Sequence, residues 1–495
     1  MTLKQNKAQA FCNIAFLSAL FLKVFGAGIS YFCTLDDHIQ YGCYPRYENL
    51  SHVYLTIGTI STRPLAALAD PAVWGAFFPH MAFALVIITV LHFFSAKLFD
   101  RSLQDCGIAI TPFFYLVYLL LPLGFEGTYW ISASSRIVVG LFFAALSAYL
   151  LIRYIKTRKI LSLVAYCVCC LASFGFYESV MVLSALVQTL IILKFSMEEK
   201  RYKKLYLLTV PLFCAMLVLL YYKAASAISP MVRTTSFSLE NLGGRIKELF
   251  SQFGYIFTAD LYRTTLVGFA GGVKYLSQSG IWGVLISALV LIISGFCAYF
   301  GGKTAFSSMK AKYCVPAGLL MILLPLLPNI LVPDVWLTYR SIVVCLPGFC
   351  VLFAPLLSRL LHKKSFATVA IFAASVLFLV GCVNEVKTYK EVSTLDQKIA
   401  TEIVAHLDED VLAAQKKTFL VFESEVITPQ TSLYKDHVKS AFYVDWATTG
   451  LVRATANNNY IKTITPVYSL DNVDTENAQV LYIDEFYHVT EEQQK

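Results

Sequence analysis

The sequence predicts a mainly α-helical, polytopic membrane protein that ends in a small α/β domain. Three observations favour this fold class: of 495 residues, 57% are hydrophobic and only 15% are charged, and the mean hydropathy is +0.63. Soluble chains usually carry about 25% charged residues, so we expect most of this chain to lie in lipid. The same composition excludes a disordered chain, a secreted disulfide-rich scaffold and a nucleic-acid-binding protein.

About eleven apolar runs come close to the ~20 residues that a membrane-spanning helix needs. They cover residues 11–33, 76–96, 107–124, 131–152, 160–177, 179–195, 205–222, 281–300, 314–332, 341–361 and 366–383. The first run is longer than the apolar region of a cleaved signal peptide, so we expect it to be retained as a signal-anchor helix.

Positively charged residues predict the orientation of these runs. Most Lys and Arg of the short loops fall on the side that carries Lys4 and Lys7, and short loops rich in Lys and Arg stay in the cytoplasm. The N-terminus is therefore expected inside, and an odd number of spans places the C-terminus outside.

Charge and hydropathy change together after Cys382. Residues 384–495 carry 10 Lys and Arg against 18 Asp and Glu, whereas the preceding part is strongly positive. We therefore expect a transmembrane unit over 1–383 and an acidic extracytoplasmic α/β domain over 384–495, with strands near 417–422, 461–468 and 479–484. Since this domain has no phosphate-binding loop or nucleophile elbow, the sequence favours a supporting role for it.

Two outer segments, 34–75 and 223–280, contain amphipathic stretches that are too short or too polar to span the bilayer. The stretch over 50–58 and the apolar positions between Leu239 and Phe253 predict interfacial helices. Such helices would border a cleft that is open to both lipid and water.

The first candidate site residues, Asp36, Asp37 and His38, follow the first span directly. Adjacent carboxylates beside apolar walls suit a general base, or a site that holds an acceptor hydroxyl or a cation. The alternative is that both carboxylates are simply solvated. A divalent metal at Asp36 and Asp37 stays open, although these carboxylates and His38 do not complete a metal site.

Three arginines form the second group of candidates, because the guanidinium group binds two phosphate oxygens at once. Arg63 lies in Thr62-Arg63-Pro64-Leu65, Arg136 lies inside an apolar run, and Arg340 opens the tenth run. Arg63 could instead extend to lipid headgroups, and Arg136 could form a structural ion pair with Glu178. The segment before Arg136 adds Glu126 and Trp130, although an interfacial aromatic belt also accounts for Trp130.

Leu35-Asp36-Asp37 and Thr62-Arg63-Pro64-Leu65 resemble motifs of the bacterial serotype-converting (O-antigen) glucosyltransferases, which belong to the GT-C superfamily of polytopic glycosyltransferases. The match covers mainly residues 30–70, and Thr62 stands where that pattern often has glycine. The resemblance implies a GT-C-like helical bundle in the bacterial cytoplasmic membrane, with Asp36 or Asp37 acting near the acceptor.

The implied activity is inverting transfer of a sugar, such as glucose, from a polyprenyl-phosphate carrier to a cell-surface glycan on the outer face. Arg63, Arg136 and Arg340 would bind the lipid phosphate, with His38, Glu126, Trp130 and Glu178 also contacting substrate. The main alternative is a flippase or transporter of lipid-linked glycans. A third is a structural assembly protein that uses its tail for docking.

Overall fold

The computed structural model has a mostly helical chain with a small sheet near its C-terminus, as the sequence predicts. It describes residues 3–47, 50–55, 63–198, 202–228, 240–304, 306–331, 335–424, 439–471 and 473–491. The helices are α1 (Leu3–Phe25), α2 (Leu50–Leu55), α3 (Pro64–Ala69), α4 (Ala82–Asp105), α5 (Thr111–Tyr115), α6 (Glu126–Tyr129), α7 (Ile131–Thr157), α8 (Ile160–Phe174), α9 (Glu178–Glu198), α10 (Thr209–Ile228), α11 (Leu242–Tyr255), α12 (Gly268–Gln278), α13 (Gly280–Gly301), α14 (Ala311–Leu323), α15 (Leu327–Ile330), α16 (Tyr339–Ile342), α17 (Leu346–Leu360), α18 (Lys364–Ala405), α19 (Glu409–Leu412) and α20 (Asp445–Ala456). The strands are β1 (Lys417–Phe422), β2 (Ile464–Val467), β3 (Ala478–Ile483) and β4 (Val489–Thr490).

Within the described ranges, nine helical segments are long and apolar enough to span a membrane, which makes the chain a multi-pass membrane protein. These segments are Lys7–Phe25, Ala82–Asp105, Ile131–Thr157, Glu178–Glu198, Lys204–Ala225, Gly280–Gly301, Ala311–Ile330, Tyr339–Leu360 and Lys364–Ala405. Each coincides with one of the eleven predicted runs.

The other two predicted runs form shorter apolar helices, Thr111–Leu120 and Ile160–Phe174. At 1.5 Å per residue, these helices rise roughly 15 and 22 Å, less than the ~30 Å of a hydrocarbon core. Eleven crossings therefore stay a prediction.

An ion pair between two helix ends indicates which sides of the bundle the short segment Thr111–Leu120 connects. Lys156 near the end of α7 pairs with Asp105 at the end of α4, at 2.6 Å between Nζ and Oδ1. Because α4 and α7 pack against each other and end on the same side, residues 106–130 must return the chain to the opposite side. They do so as a broken helix, with α5 followed by a π-helical turn over Leu116–Leu120.

The longest helix, α18, joins the two predicted parts of the chain. It has 42 residues, which corresponds to a length of about 63 Å. The predicted boundary at residues 383 and 384 lies inside it, because the helix continues beyond the last apolar run. Its second half still buries Val386 and Ile399, against other parts of the protein.

The C-terminal sheet has the strand order β2-β1-β3-β4. The central strand β1 pairs in parallel with β2 and β3, so that Phe419 lies opposite Thr465 on one side and Val480 on the other. β4 is antiparallel to β3. The three predicted strand positions are confirmed.

Helix α20 docks the C-terminal domain onto the loop that follows α1. At Gly450 an added Cβ would lie 2.8 Å from the Ile39 Cβ, so the two backbones approach closely. Asn459 Nδ2 donates to the Cys43 carbonyl (3.0 Å), and Arg46 Nη1 donates to Asn457 Oδ1 (2.8 Å). This docking brings residues of the C-terminal domain beside Asp36.

The two predicted interfacial segments contain helices. The first includes α2, which ends at Leu55, and residues 56–58 of the predicted stretch lie outside the described residues. The second includes α11 and α12, separated by π-helical turns. Phe250 on α11 is exposed while Leu249 beside it is buried, as expected of a helix with two different faces.

Candidate functional site

Side chains of the loop after α1 bind the N-terminus of α7. The Ile131 N–H donates to Tyr31 Oη (2.9 Å), and the Ser132 N–H donates to Asp37 Oδ1 (3.2 Å). The first N–H groups of a helix have no partner within the helix, and the positive end of its dipole favours a nearby carboxylate. Asp37 therefore anchors this loop to α7.

Asp37 is fully buried, and both of its oxygens accept hydrogen bonds. Oδ1 also accepts from Ser132 Oγ (2.6 Å), while Oδ2 accepts from Tyr31 Oη (2.5 Å) and from the Thr34 N–H (3.1 Å). Burial raises the pKa of Asp37 to about 7, and the hydrogen bonds from Ser132 and Tyr31 oppose that rise. Four donors on one carboxylate are typical of a group that positions its surroundings.

Asp36 faces a different environment from its neighbour. Leu35 adopts a φ of 44°, a left-handed conformation that costs roughly 1–2 kcal/mol for a residue with a Cβ. This turn precedes a half-buried Asp36, whose Oδ1 accepts a hydrogen bond from Trp446 Nε1 in the C-terminal domain (2.9 Å). Of the two carboxylates, Asp36 is the one that keeps some exposed surface.

His38, the third residue of the predicted motif, is 1% exposed. Burial lowers the pKa of His38 to about 4, because the charged imidazolium would lose its hydration. The ring is therefore neutral at pH 7. It lies inside the loop, away from the solvent that reaches Asp36.

Arg136 pairs with Asp70, a residue that the sequence did not single out. Its Nη2 and Nε donate to Asp70 Oδ2 at 2.6 and 3.2 Å. Ser135 Oγ donates to Asp70 Oδ1 (3.2 Å), which fixes the second oxygen. Arg136 is also within electrostatic range of Asp36. The ion pair considered from the sequence, between Arg136 and Glu178, is thus replaced by one with Asp70.

Glu178 accepts instead from Arg63. The Arg63 Nε lies 3.0 and 2.9 Å from the two Glu178 carboxylate oxygens, and the guanidinium lies 4.4 Å from the centre of the Tyr177 ring. The Leu65 N–H donates to the Gly175 carbonyl (3.0 Å), which docks the predicted arginine motif against the turn before α9. Thr62 of that motif lies outside the described residues.

Trp130 connects Arg340 to the loop of Asp36. The Arg340 guanidinium lies 5.5 Å from the Trp130 ring centre, and Trp130 Nε1 donates to the Thr34 carbonyl (3.4 Å). Glu126, four residues earlier, is buried within electrostatic range of Tyr389 on α18. Trp130 is 2% exposed, so it packs inside the protein and is no part of a lipid-facing aromatic belt.

These contacts place Arg136, Arg340 and Asp36 around the N-terminus of α7, at one end of the helical bundle, whereas Arg63 binds Glu178 at the N-terminus of α9. Arg340 reaches it through Trp130, Arg136 is part of α7, and Arg63 directly precedes α3, which leads to Asp70. The arrangement combines one accessible carboxylate with cationic groups that can bind phosphate. Sequence reasoning missed Asp70, Tyr31, Ser132 and Trp446, because each acts through contacts with residues far along the chain.

The geometry of the two aspartates does not fit a shared metal ion. Asp37 binds four protein donors, and Asp36 makes its hydrogen bond to a different element. Over the described part of the chain, no group of three or more His, Cys, Asp and Glu side chains is arranged to hold a metal ion.

A cavity of about 500 Å³ lies at the opposite end of the bundle. Its walls are mainly apolar and come from α4, α9, α14 and α17, with Cys106 next to the Asp105–Lys156 pair. Lys194 and Glu198, an ion pair with an N–O distance of 3.0 Å, also line it. The cavity is therefore separate from the site around Asp36.

No protein-family model matches this sequence, and no curated protein matches it.

Proposed function

We propose that the protein is an inverting glycosyltransferase that moves a sugar from a polyprenyl-phosphate carrier to a cell-envelope glycan. The observation that carries this proposal is the accessible carboxylate of Asp36 beside the Arg136–Asp70 pair at one end of an apolar bundle. Lipid-linked sugars combine an apolar chain with a charged phosphate, so a site at the edge of the membrane suits both parts.

In the proposed reaction, Asp36 accepts the proton of an acceptor hydroxyl as that oxygen attacks the anomeric carbon. The bond between the anomeric carbon and the phosphate oxygen breaks, and its electron pair leaves with the polyprenyl phosphate. One displacement inverts the configuration at the anomeric carbon. General-base catalysis of this kind contributes about 10²–10⁴-fold to the rate.

The arginines stabilise the charge that develops on the departing phosphate. A guanidinium has five N–H donors, more than its protein carboxylate uses, so Arg136 can hold Asp70 and still bind phosphate. The ion pairs with Asp70 and Glu178 fix the orientation of Arg136 and Arg63. Pre-oriented charges need little rearrangement during the reaction.

The sugar and its carrier are proposed from the resemblance to serotype-converting glucosyltransferases. That resemblance favours a hexose such as glucose on an undecaprenyl-type phosphate, and an outward-facing site in the bacterial cytoplasmic membrane. The activated donor is itself lipid-linked, which agrees with a sequence that carries no nucleotide-binding motif.

A flippase for lipid-linked glycans is the second candidate, and the apolar cavity at the other end of the bundle favours it. That cavity has a charged pair, Lys194 and Glu198, in its wall. It could take the apolar chain and headgroup of a lipid from the other leaflet. A flippase moves its substrate without breaking a glycosidic phosphate bond.

Purified protein in detergent separates the two candidates, because no membrane gradient or second leaflet is present. The assay mixes radiolabelled polyprenyl-phosphate glucose with polysaccharide released from the host envelope and follows free polyprenyl phosphate. The transferase is supported if the wild type and Asp471→Asn both release polyprenyl phosphate and Asp36→Asn does not. Asp471 is an exposed carboxylate in the loop after β2 and serves as the matched control. Intact donor after incubation with folded wild-type protein and acceptor would contradict the proposal.

A further inference from the structure

The C-terminal domain contributes an aromatic side chain to the neighbourhood of Asp36. Trp446 lies in the first turn of α20, and half of its surface is exposed. Its indole N–H donates to Asp36 Oδ1 (2.9 Å), so the polar edge of the ring is occupied. Large aromatic side chains usually bury most of their surface, which makes this exposed ring beside a carboxylate a feature to explain.

Contacts of α20 with the loop after α1 hold the indole in place. Gly450 packs directly on Ile39, and Cys43 Sγ donates to the Gly450 carbonyl (3.5 Å). The backbone N–H of Trp446 donates to Asp445 Oδ1 (2.7 Å), and this hydrogen bond fixes the start of the helix. These contacts hold the backbone of Trp446, and the hydrogen bond to Asp36 orients its ring, so ordering the ring costs little when a ligand binds.

A carboxylate borders the exposed ring, and an exposed tyrosine lies close to Trp446 in the chain. Asp36 lies at its N–H edge, and Tyr443, three residues earlier in the chain, is 62% exposed with Lys439 Nζ 4.8 Å from its ring centre. A pyranose ring has an apolar face of C–H groups and a rim of hydroxyls. It matches an aromatic face that has carboxylate acceptors at its edge.

We propose that Trp446 forms a carbohydrate subsite in which a pyranose ring of the acceptor glycan stacks on the indole and directs its hydroxyl towards Asp36. This inference rests on the proposed glycosyltransferase function and names the part of the chain that selects the acceptor. It also assigns the C-terminal domain a direct role in substrate binding, beyond the supporting role expected from its sequence.

The test measures binding of host-envelope polysaccharide, released by mild acid, to the protein in nanodiscs by saturation-transfer NMR and titration. We expect Trp446→Ala to weaken binding about tenfold or more, equivalent to one decade in Kd, and Trp446→Phe to weaken it less. Trp282→Ala, which removes a 70% exposed tryptophan from α13, should leave binding unchanged. Equal binding by wild type and Trp446→Ala would overturn the subsite.

Failure of the subsite and failure of the proposed function give different results. Transfer that depends on Asp36 but keeps its acceptor KM in Trp446→Ala would refute the subsite and leave the function standing. Binding that depends on Trp446 without any donor cleavage would support a carbohydrate site and refute the transferase. Trp446→Phe keeps an aromatic ring for packing. Comparing the unfolding midpoints of Trp446→Phe and Trp446→Ala shows whether the alanine result reflects folding.

Discussion

The buried pair Asp37 and His38 predicts opposite effects of pH on stability, which single substitutions separate. Burial raises the pKa of Asp37 from its ordinary 3.8 to about 7, so the folded protein holds this proton more tightly than the unfolded chain. Its contribution to stability therefore falls as pH rises towards 7. Burial lowers the pKa of His38 from 6.5 to about 4, so its contribution rises over the same range.

The two contributions have similar size. Between pH 5 and 7, linkage gives a loss of about 2 kcal/mol for Asp37 and a gain of about 2 kcal/mol for His38. The wild type should thus show little net dependence on these groups. Asp37→Asn should become more stable with rising pH, and His38→Gln should become less stable, because each variant leaves the other group uncompensated.

Equilibrium unfolding by SDS in mixed micelles, followed by tryptophan fluorescence, measures these slopes. The comparison uses each variant against the wild type at every pH, so that other titrating groups cancel. Identical pH dependence in Asp37→Asn, His38→Gln and the wild type would refute the assignment of a protonatable, buried Asp37 beside a neutral His38.

Three further substitutions test the supporting contacts. Ser132→Ala removes a hydroxyl donor to Asp37 and should lower the unfolding free energy by about 1 kcal/mol in the same SDS titration. Ser134→Ala is the control and should lower it less, because the buried Ser134 hydroxyl has no hydrogen-bond partner among the described residues. Arg136→Lys cannot reproduce the two hydrogen bonds to Asp70, so we expect at least about tenfold slower transfer at unchanged protein yield; a wild-type rate would contradict a phosphate-binding role. Gly450→Ala would force a Cβ against Ile39 and should make the C-terminal domain more susceptible to limited proteolysis. Gly254→Ala, which adds a Cβ in open space, should not. Equal protection of both variants would refute the docking contact.

The sequence predicted the helical membrane unit and the strands of the C-terminal sheet, because both depend on local patterns. Long apolar runs mark helices such as α7, and a short apolar run over 480–483 marks β3. The predicted domain boundary after residue 383 stays a prediction; it lies inside α18, which continues as a helix beyond the last apolar run. The short segment α8 is apolar but has 15 residues, so the span predicted there stays a prediction.

The candidate site was predictable only as a set of residue types. Sequence position could not distinguish Asp36 from Asp37, because a single turn at Leu35 decides which one is buried. The partner of Arg136 lies 66 residues away and Trp446 lies 410 residues from Asp36. Pairings of this kind depend on tertiary packing, for which one sequence contains no local signal.

The central claim, that Asp36 acts on the acceptor hydroxyl while Asp37 holds the loop on α7, is tested most directly by comparing Asp36→Asn and Asp37→Asn. The measurement is transfer of radiolabelled glucose from polyprenyl phosphate to envelope polysaccharide in proteoliposomes, normalised to folded protein. We predict that Asp36→Asn keeps wild-type stability and loses about 10²-fold or more in rate, and that Asp37→Asn changes the pH dependence of stability. Transfer by folded Asp36→Asn at the wild-type rate would contradict the claim.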